Sequence, residues 1–366
     1  MKRSRLLVAT LVAGVSTGVT RIHAADQVTI DLTRWNPPDL SKVADDPFGK
    51  LVKYGHALFT NTANEIGPAV SESAKRLAGN NLACQNCHLQ AGTQPYAMPM
   101  MGVWGQFPQY RGREGAVDSI EDRINGCLER SMNGRALPLE SLEMKAFSSY
   151  MRWLSTGIPD GARLVGAGTL QIKEPERAAD PARGAEVYAQ FCSACHGPDG
   201  SGVRAQDGLG YQFPPLWGPD SFNNGAGRSR LLTAAAYARH NMPLGTKFDA
   251  PLLTDVQAYD VAGFMVSQER PEKTNLEKDF RSGSRSRSTL VMAPTQTAFP
   301  HSSIDWGRSV RSGPRSRNWP PNLEPRMQAG RIMVRSNPTV EDSAAPVRRA
   351  CHSGAPKRSG GEPGIQ

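Results

Sequence analysis

The chain has 366 residues, six cysteines and a formal net charge of +9, and its length allows about two domains. Residues 281–366 hold 14 basic and 5 acidic side chains, so this segment alone accounts for the net charge. Because a nucleic-acid-binding surface needs a basic excess, the balanced remainder argues against a nucleic-acid partner.

The first 25 residues have the pattern of a secretory signal peptide. A basic start, Met-Lys-Arg-Ser-Arg, leads into an apolar run of roughly ten residues and then into small residues near Ala24 and Ala25. The run is shorter than the roughly 20 residues that cross a bilayer, so we prefer a signal peptide to the alternative of a membrane anchor. The sequence therefore predicts export to the periplasm without stable membrane insertion.

Two segments of the body are loosely similar to each other. Tyr-Gly-His-Ala-Leu-Phe (54–59) precedes a Cys-x-x-Cys-His motif at 84–88. Arg-Gly-Ala-Glu-Val-Tyr (183–188) precedes a second such motif at 192–196. The body therefore contains two copies of one unit, and the first copy carries an insertion before its motif.

Each copy ends in an amphipathic pattern with aromatic residues on its apolar side, which predicts helices over 139–154 and 254–268. Residues 157–180 are rich in Gly, Pro and charge and predict a linker. No segment predicts a convincing strand. The sequence therefore predicts an all-α body with two domains, at 26–165 and 166–280.

Cys-x-x-Cys-His is the attachment sequence of c-type haem. The two thiols form thioethers with the haem vinyl groups, and the histidine ligates the iron. A redox dithiol or half of a zinc site would leave both histidines unexplained. The sequence predicts two tandem class I cytochrome c domains with two covalently bound haem c groups, held by Cys84, Cys87 and His88 and by Cys192, Cys195 and His196.

The sixth ligand of the second haem iron is predicted to be Met242, which lies in His-Asn-Met-Pro-Leu-Gly, 46 residues after His196. A thioether is a soft ligand that favours reduced iron. The proline that follows favours an extended backbone at Met242. His240 is the alternative, although its place on the preceding helix argues against it.

Cys127 stands apart from the paired cysteines, in a segment at 118–132 whose pattern predicts a helix. It lies 39 residues after His88, which suits a sixth ligand of the first haem. Met100 and Met101 follow His88 too closely for the chain to pass round the haem. The methionines considered for this position are Met98, Met100, Met101 and Met132. An inert buried thiol is the other alternative.

Cationic side chains accompany this cysteine. Arg123, Cys127 and Ser131 are spaced by four residues, so a helix places them on one stripe. Arg113 lies upstream in Tyr-Arg-Gly-Arg-Glu-Gly. Cations beside a thiol stabilise its thiolate, which is the form that ligates iron and attacks sulfur. The same cations would hold an anionic substrate.

Residues 108–111 (Pro-Gln-Tyr-Arg) and 124–134 (Ile-Asn-Gly-Cys-Leu-Glu-Arg-Ser-Met-Asn-Gly) resemble the dihaem c-type thiosulfate dehydrogenases. The similarity extends over about residues 35–280. It implies that Cys127 is an axial thiolate ligand of the first, catalytic haem. It also implies that three side chains bind substrate: Arg113, Arg123 and Ser131.

The resemblance implies that two thiosulfate ions are coupled into tetrathionate, and that the same site can run in reverse. The second haem would pass the electrons to a soluble or membrane-bound cytochrome c. Some members of this family place a lysine before the methionine of the second haem, where this sequence has Asn241. This difference argues against an exchange of lysine and methionine ligands.

Two other functions fit the haem motifs. A dihaem electron carrier without its own substrate would leave Cys127 and the two arginines without a role. A thiosulfate-conjugating cytochrome of the sulfur-oxidising system would need a partner subunit, and its motif context differs. Both stay open as alternatives at the level of sequence.

The tail at 281–366 has thirteen Arg, one Lys and many Ser, Pro and Gly, without a helical or strand period. One interpretation is a disordered basic tail, because such a composition buries too little apolar surface to fold. The other is a frameshifted reading of GC-rich coding sequence. No function is assigned to this segment.

Overall fold

The computed structural model describes residues 27–206 and 208–279. The signal peptide predicted at 1–25 and the tail predicted at 281–366 lie outside these ranges. The helices within them are α1 (Pro47–Thr60), α2 (Thr62–Ile66), α3 (Leu89–Gly92), α4 (Ile120–Arg130), α5 (Leu142–Leu154), α6 (Pro181–Phe191), α7 (Ser193–His196), α8 (Leu231–Asn241) and α9 (Asp255–Val266). None of these helices has the length and apolar character that a membrane span requires.

The core of the first half forms where α1 crosses α5. Gly55 lies so close to α5 that a Cβ at this position would be 2.1 Å from the Ala146 carbonyl oxygen. Only glycine permits this approach, and the neighbouring apolar side chains close around it. The fully buried side chains here include Val52, Leu58, Phe59, Phe147, Tyr150 and Leu154.

The second half repeats this crossing with α6 and α9. A Cβ on Gly184 would be 2.1 Å from the Asp260 carbonyl oxygen and 2.8 Å from the Phe264 Cβ. Helix α8 packs beside α9 through small residues, and Ala234, Ala235 and Tyr259 are buried between them. The two glycines that the sequence repeat aligns therefore have the same structural role.

Hydroxyl side chains cap the N-termini of three of the long helices, α4, α5 and α9. Ser119 caps α4, and its hydroxyl accepts a hydrogen bond from the Asp122 amide. Thr254 caps α9 in the same way, through the Gln257 amide. Ser141 caps α5, which therefore begins at Leu142 rather than at residue 139 as predicted. The predicted helices are present, and these hydroxyl groups fix the residues at which they begin.

Short strands are present that the sequence pattern does not reveal. They form three pairs within the described residues: β1 (Thr29–Asp31) with β4 (Arg163–Val165), β2 (Gln109–Arg111) with β3 (Ala116–Asp118), and β5 (Val203–Arg204) with β6 (Tyr211–Phe213). Each strand has two or three residues, which is too short for an alternating pattern. The first pair is parallel and places part of the predicted 157–180 linker against the N-terminal residues of the first half.

The two halves meet through polar contacts that cross the middle of the molecule. The Tyr237 hydroxyl of α8 donates to the Cys87 carbonyl over 2.8 Å. The Asn223 side-chain amide donates to the Glu129 carbonyl at the end of α4 over 2.8 Å. The second half is therefore docked against both the first motif and the helix that carries Cys127. The predicted domain boundary near residue 165 stays a prediction.

Candidate haem and substrate site

The first Cys-x-x-Cys-His motif lies in a tight turn over Cys84–Asn86. The Asn86 side-chain oxygen accepts a hydrogen bond from the Ala83 amide over 2.7 Å and holds the turn closed. His88 follows, and its Nδ1 lies 2.7 Å from the Met98 carbonyl oxygen. Because a carbonyl only accepts, we assign the ring proton to Nδ1, which leaves the Nε2 lone pair for a metal ion.

The second motif has the same arrangement on α7. His196 Nδ1 lies 2.7 Å from the Pro214 carbonyl oxygen. Burial lowers the pKa of His196, and burial also lowers the pKa of His88 to about 4. Both rings are therefore neutral near pH 7, which is the form that ligates iron. Neutral histidines with oriented rings, each beside two half-buried thiols, fit haem c at both motifs.

Cys127 lies on α4 with a guanidinium group against its sulfur. Arg123 Nη1 donates to Cys127 Sγ over 2.9 Å, which is the contact that the four-residue spacing predicts. The Ser131 amide continues the helical ladder and donates to the Cys127 carbonyl over 2.8 Å. Burial raises the pKa of the Cys84 thiol to about 12, and the charge of Cys127 adds to this rise. Cys127 therefore lies within electrostatic range of the first motif.

Arg113 reaches this region from the loop between β2 and β3, and the second half of the chain holds it in place. Its Nη1 donates to the Gly225 carbonyl over 3.0 Å, and its Nε lies 3.9 Å from Asp279 Oδ2. Burial lowers the pKa of Arg113 to about 10. A cation that has lost much of its water binds an incoming anion more strongly than an exposed one.

Three further arginines that the sequence analysis did not select lie beside these residues: Arg111, Arg130 and Arg230. Burial lowers the pKa of Arg111 and of Arg230, and the positive charge of Arg123 lowers both further. These guanidinium groups therefore lie within electrostatic range of Arg123. Together with Arg113 and Arg123 they form what we call the arginine cluster.

Asp279 supplies a counter-charge to this cluster. Its Oδ1 lies 2.7 Å from Arg130 Nη2, and its Oδ2 lies 3.3 Å from Arg130 Nε, so the pair is bidentate. Glu114 Oε1 lies 3.4 Å from the same Arg130 Nη2. Asp279 is separated from Arg130 by 149 residues, so no local pattern in the sequence could have found this contact.

Met242 caps the end of α8 and packs with residues of the first half. It packs against the apolar cluster of Leu89, Ala97 and Tyr237, as Met98 also does. Asn241, directly before it, donates to the Tyr96 carbonyl over 3.2 Å and accepts from Gln94 Nε2 over 3.2 Å. The Asn241 side chain is therefore engaged by protein groups, and the role of Met242 stays a prediction.

The alternative ligands have other contacts. Met101 and Met132 are 1% and 2% exposed and belong to apolar cores of the first half. The Met98 carbonyl is the partner of His88 Nδ1. His240 Nδ1 lies 3.1 Å from the Phe248 carbonyl oxygen, and its Nε2 is buried without a hydrogen-bond partner among the described residues, so His240 stays an alternative ligand. The sixth ligand of each iron therefore stays a prediction.

Two family models match the chain. The SoxA/TsdA cytochrome c domain matches residues 74–159, and the cytochrome c domain matches residues 181–269. Each range contains one Cys-x-x-Cys-His motif, so both copies of the repeat are cytochrome c domains. Cytochrome c domains hold haem c, in agreement with the fit of the two motifs.

The chain is also similar to characterised enzymes along most of their length. It is 42% identical over 255 residues to the thiosulfate dehydrogenase of Allochromatium vinosum, a match that covers 68% of this chain and 88% of that protein. The corresponding enzyme of Stutzerimonas stutzeri is 39% identical over 242 residues, covering 66% and 75%. The chain belongs to the thiosulfate dehydrogenase family.

A solved structure agrees with this family. The as-isolated form of the thiosulfate dehydrogenase TsdBA from Marichromatium purpuratum has a TM-score of 0.61 and 37% identity to this chain. The match covers 66% of this chain and 51% of that one, so the present chain spans about half its length. The predicted fold of two tandem cytochrome c domains is confirmed, and so is the predicted enzyme family.

Proposed function

We propose that the chain is a periplasmic dihaem cytochrome that oxidises two thiosulfate ions to tetrathionate and passes two electrons to a cytochrome acceptor. The observation that carries this proposal is the 2.9 Å contact between Arg123 and Cys127 Sγ inside the arginine cluster. A nucleophilic sulfur beside several desolvated cations suits a sulfur-containing dianion. One haem c is bound covalently through Cys84 and Cys87, and the other through Cys192 and Cys195.

The arginine cluster answers the main electrostatic difficulty of the reaction. Two dianions held about 5 Å apart repel each other by roughly 3 kcal/mol even at the dielectric constant of water, and by more in a partly dry site. Arg113 and Arg123 would each offer a planar fork of donors to sulfonate oxygens. Ser131, one turn beyond Cys127, would add a hydroxyl donor to the same stripe of α4.

The chemistry divides between the cofactors and the protein. Haem c, when bound at the two motifs through His88 and His196, supplies two one-electron acceptors. The protein would contribute anion binding, orientation of the two sulfur atoms and the Cys127 thiolate, which would serve as a ligand of the first iron. Met242 would complete the ligands of the second iron.

Cys127 would also divide the coupling into two steps. Its thiolate forms a sulfur–sulfur bond with the outer sulfur of one thiosulfate, and two electrons leave, giving an S-thiosulfonate on the cysteine. The outer sulfur of a second thiosulfate then attacks the bound one. Tetrathionate leaves, and the Cys127 thiolate is restored, so atoms and charge balance over the cycle.

Thiosulfate-dependent reduction of ferricyanide by the purified haem-loaded protein tests this proposal. We expect one tetrathionate for every two thiosulfate ions consumed and every two ferricyanide ions reduced. Replacing Arg123 with Gln should raise the KM for thiosulfate roughly tenfold or more, because a charge-assisted contact is lost. The exposed Arg135→Gln variant is the matched control and should behave as the unmodified enzyme. An absence of tetrathionate would contradict the proposal.

The same preparation separates the alternatives. A plain electron carrier would exchange electrons with ferricyanide but would form no tetrathionate, and the Arg123 variant would change nothing. A thiosulfate-conjugating cytochrome would consume thiosulfate only in the presence of a carrier protein. Treatment with pyridine should give two covalent c-type haems per chain, and N-terminal sequencing of the periplasmic fraction should show that the first 25 residues are removed.

A further inference from the structure

Arg228 is a buried cation at the junction of the two halves. It lies in a short turn over Gly227–Ser229, directly before α8. Its guanidinium carbon is 3.9 Å from the centre of the Tyr237 ring. Nη1 donates to the Thr233 carbonyl over 2.5 Å, and Nη2 donates to the Met98 sulfur over 3.0 Å.

This cation has no carboxylate partner among the residues that the structure describes. Its Nε is buried there without any hydrogen-bond acceptor. The other contacts are a carbonyl, a thioether and an aromatic face, none of which carries a full negative charge. A buried unpaired charge normally costs several kcal/mol and is rarely kept without a function.

Several other arginines in the described part of the chain have a carboxylate partner. Arg130 has Asp279 at 2.7 Å, and Arg177 has Asp260 at 2.6 Å. Arg204 also stacks on a tyrosine, with its guanidinium carbon 4.2 Å from the centre of the Tyr211 ring, but it lies 2.9 Å from Asp220. Within the described residues, an arginine therefore stacks on a tyrosine twice, once with a carboxylate partner and once without.

Arg228 touches both groups that hold the first motif in place. Met98, which receives Nη2, offers its carbonyl oxygen to His88 Nδ1 over 2.7 Å. Tyr237, which receives the stack, donates its hydroxyl to the Cys87 carbonyl over 2.8 Å.

We propose that Arg228 is a positioning residue that sets the reduction potential of the first haem through its uncompensated charge. This inference rests on haem c being bound at the first motif, as in the proposed function. Adding one electron to the iron lowers the charge of the group by one unit. A nearby cation in a medium of low dielectric constant stabilises the reduced form and so raises the potential.

The effect has a purpose in the proposed reaction. A thiolate ligand donates more electron density than a thioether and lowers the potential of the iron to which it binds. A first haem with Cys127 as ligand would therefore accept electrons from thiosulfate poorly. The charge of Arg228 offsets part of this effect without occupying the anion site itself.

Spectroelectrochemical titration of the haem-loaded full chain tests the inference. Visible absorption reports the reduction potentials of both haems, whether or not Cys127 ligates the first iron. Electron paramagnetic resonance separately follows a low-spin haem with a thiolate ligand. Arg228→Met should lower the potential of the first haem and shift that of the second much less. Arg228→Lys, which keeps the charge, should restore most of the potential of the unmodified protein.

Controls separate charge from packing. Arg204→Met removes the other tyrosine-stacked arginine, whose charge Asp220 already balances, and should leave both potentials unchanged. If Arg228→Met does not accumulate with haem, Arg228→Gln keeps a donor for the Thr233 carbonyl and should show the same lowered potential. The inference is wrong if the neutral variants leave the first potential unchanged, or if the lysine variant lowers it as much as they do.

Discussion

The regions around the two Cys-x-x-Cys-His motifs share one scaffold. Gly55 and Gly184 occupy the same crossing between the first and last helices of their copies, each with its virtual Cβ 2.1 Å from a carbonyl oxygen. His88 and His196 are held in the same way, each with Nδ1 2.7 Å from a carbonyl oxygen. The helix crossing and the oriented histidine beside it are therefore both present twice.

The regions differ in the helix between the motif and the last helix. In the first region this is α4, which carries Cys127 and two members of the arginine cluster, Arg123 and Arg130. In the second region it is α8, which is rich in buried alanine and is followed directly by Met242. Under the proposed function, the shared scaffold would hold a haem in each region, and the residues of this one helix would distinguish the substrate site from the electron-transfer site.

The largest expected effect comes from removing the sulfur that differs between the regions. Cys127→Gly should abolish tetrathionate formation with both haems still attached, because attachment uses the four cysteines of the two motifs.

Met242→Gly should lower the reduction potential of the second haem and slow ferricyanide reduction, while thiosulfate still reduces the first haem. Steady-state product assays and stopped-flow spectra measure the two effects. If Cys127→Gly kept more than a few per cent of the tetrathionate-forming activity, the catalytic role proposed for Cys127 in the first region would be wrong.

Gly55→Ala and Gly184→Ala test whether the helix crossing that the two regions share is equivalent in both. Each added methyl group would overlap a carbonyl oxygen of the opposing helix, and overpacking of this kind typically costs about 1–3 kcal/mol or more. Thermal unfolding of the haem-loaded protein should show both variants destabilised by similar amounts. Gly168→Ala adds a methyl group where no atom lies within 4 Å, although at positive φ, and should cost less. A large difference between the two crossing variants would mean that the scaffolds are not equivalent.

The proposed anion site of the first region is tested through Asp279, which contacts Arg113 and Arg130 from the far end of the described chain. Asp279→Asn removes the counter-charge that holds Arg113 and Arg130, so we expect the KM for thiosulfate to rise several-fold with kcat nearly unchanged. Asp279→Glu should recover most of the affinity. Asp255→Asn is the matched control, since Asp255 pairs with Arg239 over 2.8 Å in the second region. If the KM of Asp279→Asn fell instead, the negative charge of Asp279 would repel thiosulfate more than its contacts with Arg113 and Arg130 help to bind it.

A smaller effect is expected from the helix caps. Ser119→Ala removes the cap of α4, and Thr254→Ala removes that of α9, and each should lower the free energy of unfolding by about 1 kcal/mol. Denaturant titration measures both. Because α4 carries Cys127 and Arg123, only the first change should also raise the KM for thiosulfate. If both variants raised the KM for thiosulfate equally, α4 would have no specific role in binding thiosulfate.

The smallest effect should follow deletion of residues 281–366. The cut leaves Asp279 and its pairing with Arg130 intact, so haem loading and activity should be unchanged in the truncated protein. Deletion from residue 271 instead removes Asp279 and should impair thiosulfate binding. A truncation after residue 280 that fails to accumulate would show that the tail supports the body.

Local chemistry was readable from the sequence. The two Cys-x-x-Cys-His motifs are contiguous, and the hydroxyl cap at Ser119 acts three residues from its partner. The contact of Arg123 with Cys127 follows from a four-residue spacing on one helix, because backbone geometry alone places such side chains side by side. The repeat of Gly55 and Gly184 was likewise visible as sequence similarity before any crossing was known.

Only the tertiary structure decided what surrounds these groups. Arg113 is held by Gly225 across 112 residues, and Tyr237 meets Cys87 across 150. Such contacts depend on how the two halves dock, and docking follows from the summed burial of many side chains rather than from any local pattern. The sequence by itself therefore determined the cofactor motifs and the position of Cys127 beside Arg123. The fold of the whole chain determined the counter-charge at Asp279 and the unpaired charge at Arg228.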